Sequence, residues 1–178
     1  RFTLKSQEAL QTAQDLANQA ESPDVNVECL LLALIDQEEG VVTPILQKVG
    51  ADAQTIRFEV DKAIRNGPKM QGSAQVLHIS SALKGVFEIA WKETTNLKDE
   101  YVSTEHLLIA CVEDKGSVAG NILKKYGVTK DKILKALVDI RGGQRVTDRN
   151  PEDKYQALTR FGRDLTQEAM SGKLDPLI

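Results

Sequence analysis

The chain has 178 residues, a net charge of −3 and 41% hydrophobic residues, with only 4% aromatic. This length allows one domain plus a short appendage, and the charge excludes a strong basic field for nucleic acid or an anionic membrane. Apolar runs fall far short of the roughly 20 residues that span a bilayer. The first residues also lack the apolar core of a secretory signal, so we expect a soluble, cytoplasmic protein.

The first predicted element is a helix that begins after Thr3, a hydroxyl residue able to cap the free N–H groups of a helix start. Its buried face is marked by the helical spacing of Leu10, Ala13, Ala17 and Ala20. The scarcity of aromatic residues and the wealth of Ala and Leu favour close packing of such helices.

Three further helices are predicted in the first part of the chain. The apolar run VECLLLALI follows the capping residue Asn26, and Glu28 falls in its first turn, where a carboxylate favours the positive end of the helix dipole. A short third helix around Ile45 ends at Gly50, because glycine accepts the left-handed conformation of a helix end. The segment DAQTIRFEVDKAI forms the fourth helix.

Residues 65–78 lack periodicity and carry Gly, Pro and Ser, which predicts a connector. The first unit then recurs: a shift of 77 positions gives 11 identities in the 32 positions from 25 to 56. Chance gives about two, at roughly 6% per pair. The recurrence predicts an all-α domain at 1–141, in which two four-helix repeats, about 2–64 and 79–141, pack around a pseudo-twofold axis. Ser80, Ser103 and Gly127 repeat the helix boundaries of Thr3, Asn26 and Gly50.

The composition changes after the second repeat. Residues 142–154 are polar and contain Gly142-Gly143 and Asn150-Pro151, which predicts a linker. Beyond it, Leu158, Phe161, Leu165 and Ala169 share one face of a helix predicted over 155–171. That stripe belongs to neither repeat, so we expect it to be poorly packed.

Sequence motifs for catalysis are missing. The chain contains neither G-x-x-x-x-G-K-[ST] nor H-E-x-x-H, and its only histidines, His78 and His106, lie in different segments. Cys29 and Cys111 are too far apart for a C-x-x-C motif and sit in apolar runs, which favours reduced, buried thiols. Paired acids such as Asp99-Glu100 fall at predicted helix ends, where a solvated charge is usual. These features favour a binding module without catalytic or metal-binding residues over a stand-alone enzyme.

A binding surface is predicted on the first helix of the second repeat, where Ile89 and Trp91 lie off the apolar stripe, next to Phe87. Phe87, Ile89 and Trp91 would form a groove if they are exposed together, with Asp99 and Glu105 as an acidic rim. Ordinary core and interdomain packing is the alternative interpretation, since single exposed apolar residues are common.

The whole chain resembles a known family. Two tandem copies of a unit containing x-T-x-K-x-Q-x-A-L and E-x-L-L-x-A-L are similar to the N-terminal repeat domain of Clp-type AAA+ unfoldases. The following segment, RGGQRVTDRNPED continuing to GKLDPLI, resembles the junction with the first ATPase module in the ClpB disaggregase group. The resemblance implies that 155–178 is the truncated start of that ATPase module.

The resemblance also implies a function. The domain would recognise unfolded or aggregated polypeptide in an apolar groove and deliver it to the pore of a homohexamer that works with the DnaK chaperone system. An adaptor-docking domain of a protease-coupled Clp unfoldase is the alternative. ATP and Mg²⁺ would bind only the ATPase modules, so we expect no cofactor in this fragment, which we expect to be monomeric.

Seven residues are implied in substrate binding by the resemblance. The family's substrate-sensitive positions match Thr3, Ser80, Asp99 and Glu105, and apolar positions of its groove helix match Phe87 and Ile89. His106 stands where close relatives often carry an apolar residue, which leaves the polarity of the groove open. Thr3, Ser80 and Glu105 are also predicted helix caps or dipole partners. Direct contact with substrate and an effect through the domain structure therefore both stay open.

Overall fold

The computed structural model describes residues 1–70 and 78–153. The first repeat contains α1 (Leu4–Gln19), β1 (Asp24–Val25), α2 (Val27–Asp36), α3 (Val42–Val49) and α4 (Ala53–Arg65). The second repeat contains β2 (His78–Ile79), α5 (Ser81–Asn96), α6 (Thr104–Glu113), α7 (Val118–Lys125) and α8 (Lys130–Arg141). The prediction of an all-α fold with two four-helix repeats is confirmed.

The helix boundaries follow from the capping residues. The side-chain oxygen of Thr3 accepts a hydrogen bond from the Ser6 N–H at 3.2 Å, and that of Ser80 accepts one from the Leu83 N–H at 3.1 Å. Each bond satisfies an N–H that has no partner inside its helix. Gly50 ends α3 with a φ of 92°, a conformation that residues with a side chain rarely adopt.

Two short parallel pairings tie the repeats together. Val25 in β1 lies opposite Ile79 in β2, and Phe2 forms a β-bridge with Val102. The 77-residue shift converts the first pair into the second, so the pairings are mates across the pseudo-twofold axis. The sequence does not predict these strands, because two residues are too few for an alternating pattern.

The core is centred on α2 and α6, whose apolar side chains are almost completely buried. Cys29 and Cys111, one in each helix, are buried free thiols, as predicted. Burial raises the pKa of the Cys29 thiol to about 11 and also raises the pKa of Cys111. Across the repeats, Oε2 of Glu28 accepts a hydrogen bond from the Ala119 N–H near the start of α7 at 3.0 Å. Each repeat therefore completes the polar contacts of the other.

Residues 143–153, which we call the strap, lie against the helical domain. The Val146 carbonyl accepts a hydrogen bond from the Glu100 N–H, and the Arg149 carbonyl accepts one from the Leu4 N–H, both at 2.8 Å. Val146 and Glu152 are fully buried. The expectation of a free linker at 142–154 is therefore wrong for this part of the segment. Composition cannot separate a free polar segment from one whose polar groups are hydrogen-bonded to a domain.

The predicted helix over 155–171, with its apolar stripe, lies outside the described residues. Within 1–70 and 78–153, no helix combines the length and the apolar character needed to cross a membrane.

Candidate functional site

An apolar groove of about 320 Å³ opens between α1 and α5. Its walls are side chains from the starts of both repeats, together with one residue of β1: Phe2, Gln7, Leu10, Gln11, Gln14, Val25, Ile79, Leu83 and Phe87. Parts of the chain that are distant in sequence meet here because the β-pairings tie the start of each repeat to the other repeat.

The groove lies across the pseudo-twofold axis. Under the 77-residue shift, Phe2 corresponds to Ile79 and Leu10 corresponds to Phe87, so each repeat supplies the same two apolar positions. The rings of Phe2 and Phe87 pack edge to face, with centroids 5.7 Å apart. This packing gives the groove an aromatic wall that joins the two repeats.

The polar side chains of the groove are neutral. Gln7, Gln11 and Gln14 follow each other at helical spacing on α1, and none of the described residues that line the groove is charged. Gln7 Nε2 donates to the Phe2 carbonyl at 3.0 Å, which fixes one amide against the aromatic wall. Amide side chains both donate and accept hydrogen bonds, so this wall can pair with the backbone of a bound peptide.

The structure separates the predicted apolar positions on α5. Phe87 lines the groove but Ile89 does not, although both are half-buried against the core. Trp91 is 51% exposed and lies outside the groove lining. Ser80 caps α5 directly beside Ile79 of the groove.

The other predicted site residues meet in a buried polar network behind the groove. Oδ2 of Asp99 lies 2.7 Å from Nε2 of His106 and 3.0 Å from the Arg141 guanidinium. Arg141 also contacts Oε2 of Glu105 at 3.0 Å. The expected acidic rim is therefore wrong: Asp99 and Glu105 face inward, where both carboxylates contact Arg141. For the same reason His106 contributes nothing to the polarity of the groove surface.

Hydrogen bonds set the protonation of this network. The Ser103 N–H donates to Nδ1 of His106 at 2.8 Å, which places a ring proton on Nε2, facing Asp99. Burial alone would raise the pKa of Asp99. The hydrogen bonds from His106 and from the Val146 N–H, together with the charge of Arg141, outweigh burial and lower it.

Thr3 belongs to a second buried polar cluster, which it forms with Glu152 of the strap and with Thr104 at the start of α6. Its hydroxyl donates to Oε2 of Glu152 at 2.7 Å, and the Thr104 N–H donates to the same oxygen at 3.1 Å. Burial, followed by repulsion from Glu105, raises the pKa of Glu152 to about 7.

Sequence reasoning missed Arg141 and Glu152. Comparison of the two repeats carries a signal for the first: Asp99, His106 and Arg141 correspond to Ser22, Cys29 and Ile64. Three positions that are small or apolar in one repeat are thus ionisable in the other, which marks a polar network confined to the second repeat. No comparable signal exists for Glu152, which lies outside both repeats.

A second groove, of about 600 Å³, lies between α4 and α7. Phe58 is 61% exposed and Val118 is 49% exposed at its surface. Unlike the groove between α1 and α5, it is also lined by charged residues, Glu59 and Lys62.

Known proteins share this sequence and fold. The family model of the Clp repeat (R) N-terminal domain matches residues 1–126. The chaperone protein ClpB of Bacillus anthracis is 38% identical over 181 aligned residues, which cover 100% of this chain and 21% of that protein. The chain thus spans about a fifth of such relatives.

Solved structures agree on the fold. The crystal structure of the Hsp104 N-terminal domain from Candida albicans has a TM-score of 0.74 at 22% identity, covering 85% of this chain and 99% of that one. A complex of the ClpV N-domain with a VipB peptide has a TM-score of 0.61 at 18% identity, covering 78% and 85%. The repeats, the fold and the family match together show that this chain belongs to the Clp repeat N-terminal domain family and is similar to the N-terminal part of the ClpB chaperones.

Proposed function

We propose that this domain recognises unfolded or aggregated polypeptide for a ClpB-type chaperone, and that the groove between α1 and α5 is the binding site. The observation that carries the proposal is the groove itself, an apolar cleft walled by Phe2, Leu10 and Phe87 with neutral amides along one side. Unfolded chains expose apolar side chains that folded proteins bury, so such a cleft distinguishes the two. The ClpV N-domain solved with a VipB peptide supports peptide binding by this fold.

The affinity of the groove should be weak. Burial of apolar surface contributes about 25 cal/mol per Å², and the ordering of a flexible chain offsets much of this gain. Weak binding suits delivery, because a polypeptide that is held loosely can pass to the next site. Several domains on one ring would raise the local concentration of substrate without tight contacts.

The longer protein would supply the remaining activity. In this role the domain binds and releases polypeptide and catalyses nothing. ATP and Mg²⁺ would bind the ATPase modules of a homohexamer, which would thread substrate through its pore together with the DnaK chaperone system. These activities are proposed from the similarity to ClpB, since the chain spans 21% of the B. anthracis protein.

Adaptor docking is the second candidate function, and the groove between α4 and α7 favours it. Phe58 and Val118 are strongly exposed there, beside the charged side chains of Glu59 and Lys62. An exposed apolar centre with a charged rim is the usual anatomy of a protein–protein interface.

Two matched phenylalanine variants test the assignment. Fluorescently labelled casein, an unfolded model protein, is titrated with the wild-type chain, Phe87→Ala and Phe58→Ala. We expect Phe87→Ala to weaken binding about tenfold, as loss of a central aromatic contact does, and Phe58→Ala to leave it unchanged. The reverse order would contradict the proposed site and favour the groove between α4 and α7.

A further inference from the structure

Glu152 joins the starts of two helices that belong to different repeats. Its Oε2 accepts hydrogen bonds from the hydroxyl of Thr3, which caps α1, and from the N–H of Thr104, the first residue of α6. A carboxylate is favoured at both places, because each helix start presents unpaired N–H groups and the positive end of a dipole.

Thr3 connects this carboxylate to the groove. The residue before it, Phe2, forms the aromatic wall with Phe87. The backbone around Phe2 is fixed on both sides, since the Thr3 N–H donates to the Val102 carbonyl at 3.0 Å and the Val102 N–H donates to the Arg1 carbonyl at 2.8 Å. A shift of Thr3 would therefore move the wall of the groove.

The strap carries Glu152 to this position. Val146 holds the strap at the loop between α5 and α6, where its N–H donates to Oδ1 of Asp99 at 2.9 Å. Arg149 holds it at the start of α1 through the Leu4 N–H. The contacts that dock the strap thus lie directly beside those that place Phe2.

The two repeats differ at these contacts. Ser80, the counterpart of Thr3, caps α5 through the Leu83 N–H, whereas Thr3 caps α1 and in addition donates to Glu152. The polar network behind Thr104 is also confined to the second repeat. Fold stability alone gives no reason for this asymmetry, because the first repeat packs with Cys29 and Ile64 in place of His106 and Arg141.

We propose that Glu152 is a positioning residue for the groove: the docked strap holds Phe2 in place through Thr3, and release of the strap weakens polypeptide binding. The proposal deepens the proposed function and rests on it. The strap, which belongs to neither repeat, would then control how tightly the groove binds polypeptide.

The charges around Glu152 determine whether a rise in pH strengthens or weakens docking of the strap. Oε1 of Glu152 and Oε1 of Glu105 are both buried without a hydrogen bond from the described residues. Beyond Glu105 lies Arg141, which also binds Asp99, and Asp99 in turn contacts His106. The negative charge that faces Glu152 most directly is therefore that of Glu105.

The docked state raises the pKa of Glu152 from an ordinary 4.5 to about 7, through burial and then the charge of Glu105. A released strap would return it to its ordinary value, so the docked state binds the proton more tightly. Docking is therefore strengthened as the pH falls from about 7 towards 4.5 and is weakened as the pH rises through that window.

The test measures binding of a labelled peptide made of Leu, Val, Gln and Ser with blocked ends, so that the peptide itself does not titrate. Fluorescence polarisation with the 178-residue chain is followed between about pH 5 and pH 8. Hydrogen exchange of the Leu4 and Val146 amides reports strap docking in the same samples.

Three variants separate positioning from general stability. Glu152→Ala removes both hydrogen bonds and should weaken binding about fivefold at pH 6 while speeding exchange at Leu4 and Val146. The amide oxygen of Glu152→Gln can accept both bonds without titrating, so affinity should be retained and its pH dependence lost. Glu113→Gln, which changes an exposed glutamate at the end of α6, should match the wild type.

Two results would overturn the proposal. One is faster exchange at Leu4 and Val146 in Glu152→Ala with unchanged affinity, and the other is a wild-type pH dependence in Glu152→Gln. If Glu152→Ala fails to fold, the pH profile of Glu152→Gln decides alone. If the wild-type chain binds no peptide, the proposed function fails. The chemical shifts of Phe2 and Phe87 in the wild type across the pH range, with the non-titrating Glu152→Gln as the control, then still show whether the strap moves the groove wall.

Discussion

Nε2 of His106 lies 2.7 Å from Oδ2 of Asp99 at a place where neither side chain is exposed. The same carboxylate contacts Arg141, which in turn contacts Glu105. Two of the residues that the family resemblance implied in substrate binding are therefore paired inside the domain. Both carboxylates are buried, so any effect of Asp99 or Glu105 on recognition would have to act through the structure of the domain and not through contact with the substrate.

Arg141 should be essential for stability because its guanidinium is in contact with two buried carboxylates. We expect Arg141→Met to lower the free energy of unfolding by about 3–5 kcal/mol, the usual effect of breaking a buried ion pair. Arg145→Met, at an exposed position in the following turn, should change it by less than about 0.5 kcal/mol. Urea denaturation compares the two variants. An equal loss of unfolding free energy in both would contradict a special role of the buried Arg141.

Thr3 and Ser80 offer a matched pair of helix caps. Ser80→Ala should cost about 1 kcal/mol in unfolding free energy, as is typical for a lost N-cap. Thr3→Ala should cost about 1.5 kcal/mol more, because Thr3 also donates to the buried carboxylate of Glu152. Denaturant unfolding measures both. Equal losses would mean that the contact with Glu152 adds nothing to the cap.

The lowered pKa of Asp99 predicts a loss of stability in acid. Its contribution is fully present above the ordinary value of 3.8 and disappears as the pH falls through the lower pKa of the folded state. The difference in unfolding free energy between the wild type and Asp99→Asn should therefore be largest near neutral pH and should shrink below about pH 3.8. Asp139→Asn, whose side chain is 69% exposed, should show no such trend. A constant difference down to the lowest pH would argue against an ionised Asp99.

Two glycines inside helices should respond oppositely to alanine. A Cβ on Gly120 in α7 would lie 2.6 Å from the Asp114 carbonyl oxygen, whereas a Cβ on Gly85 in α5 meets nothing within 4 Å. We expect Gly120→Ala to destabilise the domain by about 1–3 kcal/mol through overpacking, and Gly85→Ala to stabilise it by up to about 1 kcal/mol through helix propensity. Melting temperatures show whether each substitution stabilises or destabilises the domain. A stabilising Gly120→Ala would contradict the close approach of α7 to the Asp114 carbonyl oxygen.

The sequence predicts the helices and their duplication well because the signals are local. The caps at Thr3 and Ser80 depend on bonds within three residues, and the 77-residue recurrence is visible without any knowledge of contacts. Phe87 lines the groove between α1 and α5, and the wide apolar stripe of its helix is a local signal for such a position, whereas its role in binding stays a prediction.

The rest depends on contacts between distant residues. Phe2 and the three glutamines of α1 enter the groove because the β-bridge of Phe2 to Val102 ties the start of α1 to the second repeat, where the Phe2 ring meets Phe87 of α5. Asp99 looked like a solvated loop acid because its partner Arg141 lies 42 positions further along the sequence. Glu152 sits 149 positions from Thr3, and the polar composition of the strap gave no sign that it docks.

Amide chemical-shift mapping of the isotope-labelled chain with unfolded casein tests the proposed binding site most directly. We predict shifts around Phe2, Leu10, Gln14 and Phe87, on both walls of the groove between α1 and α5. Shifts confined to the surroundings of Phe58 and Val118 would contradict this site and place recognition between α4 and α7.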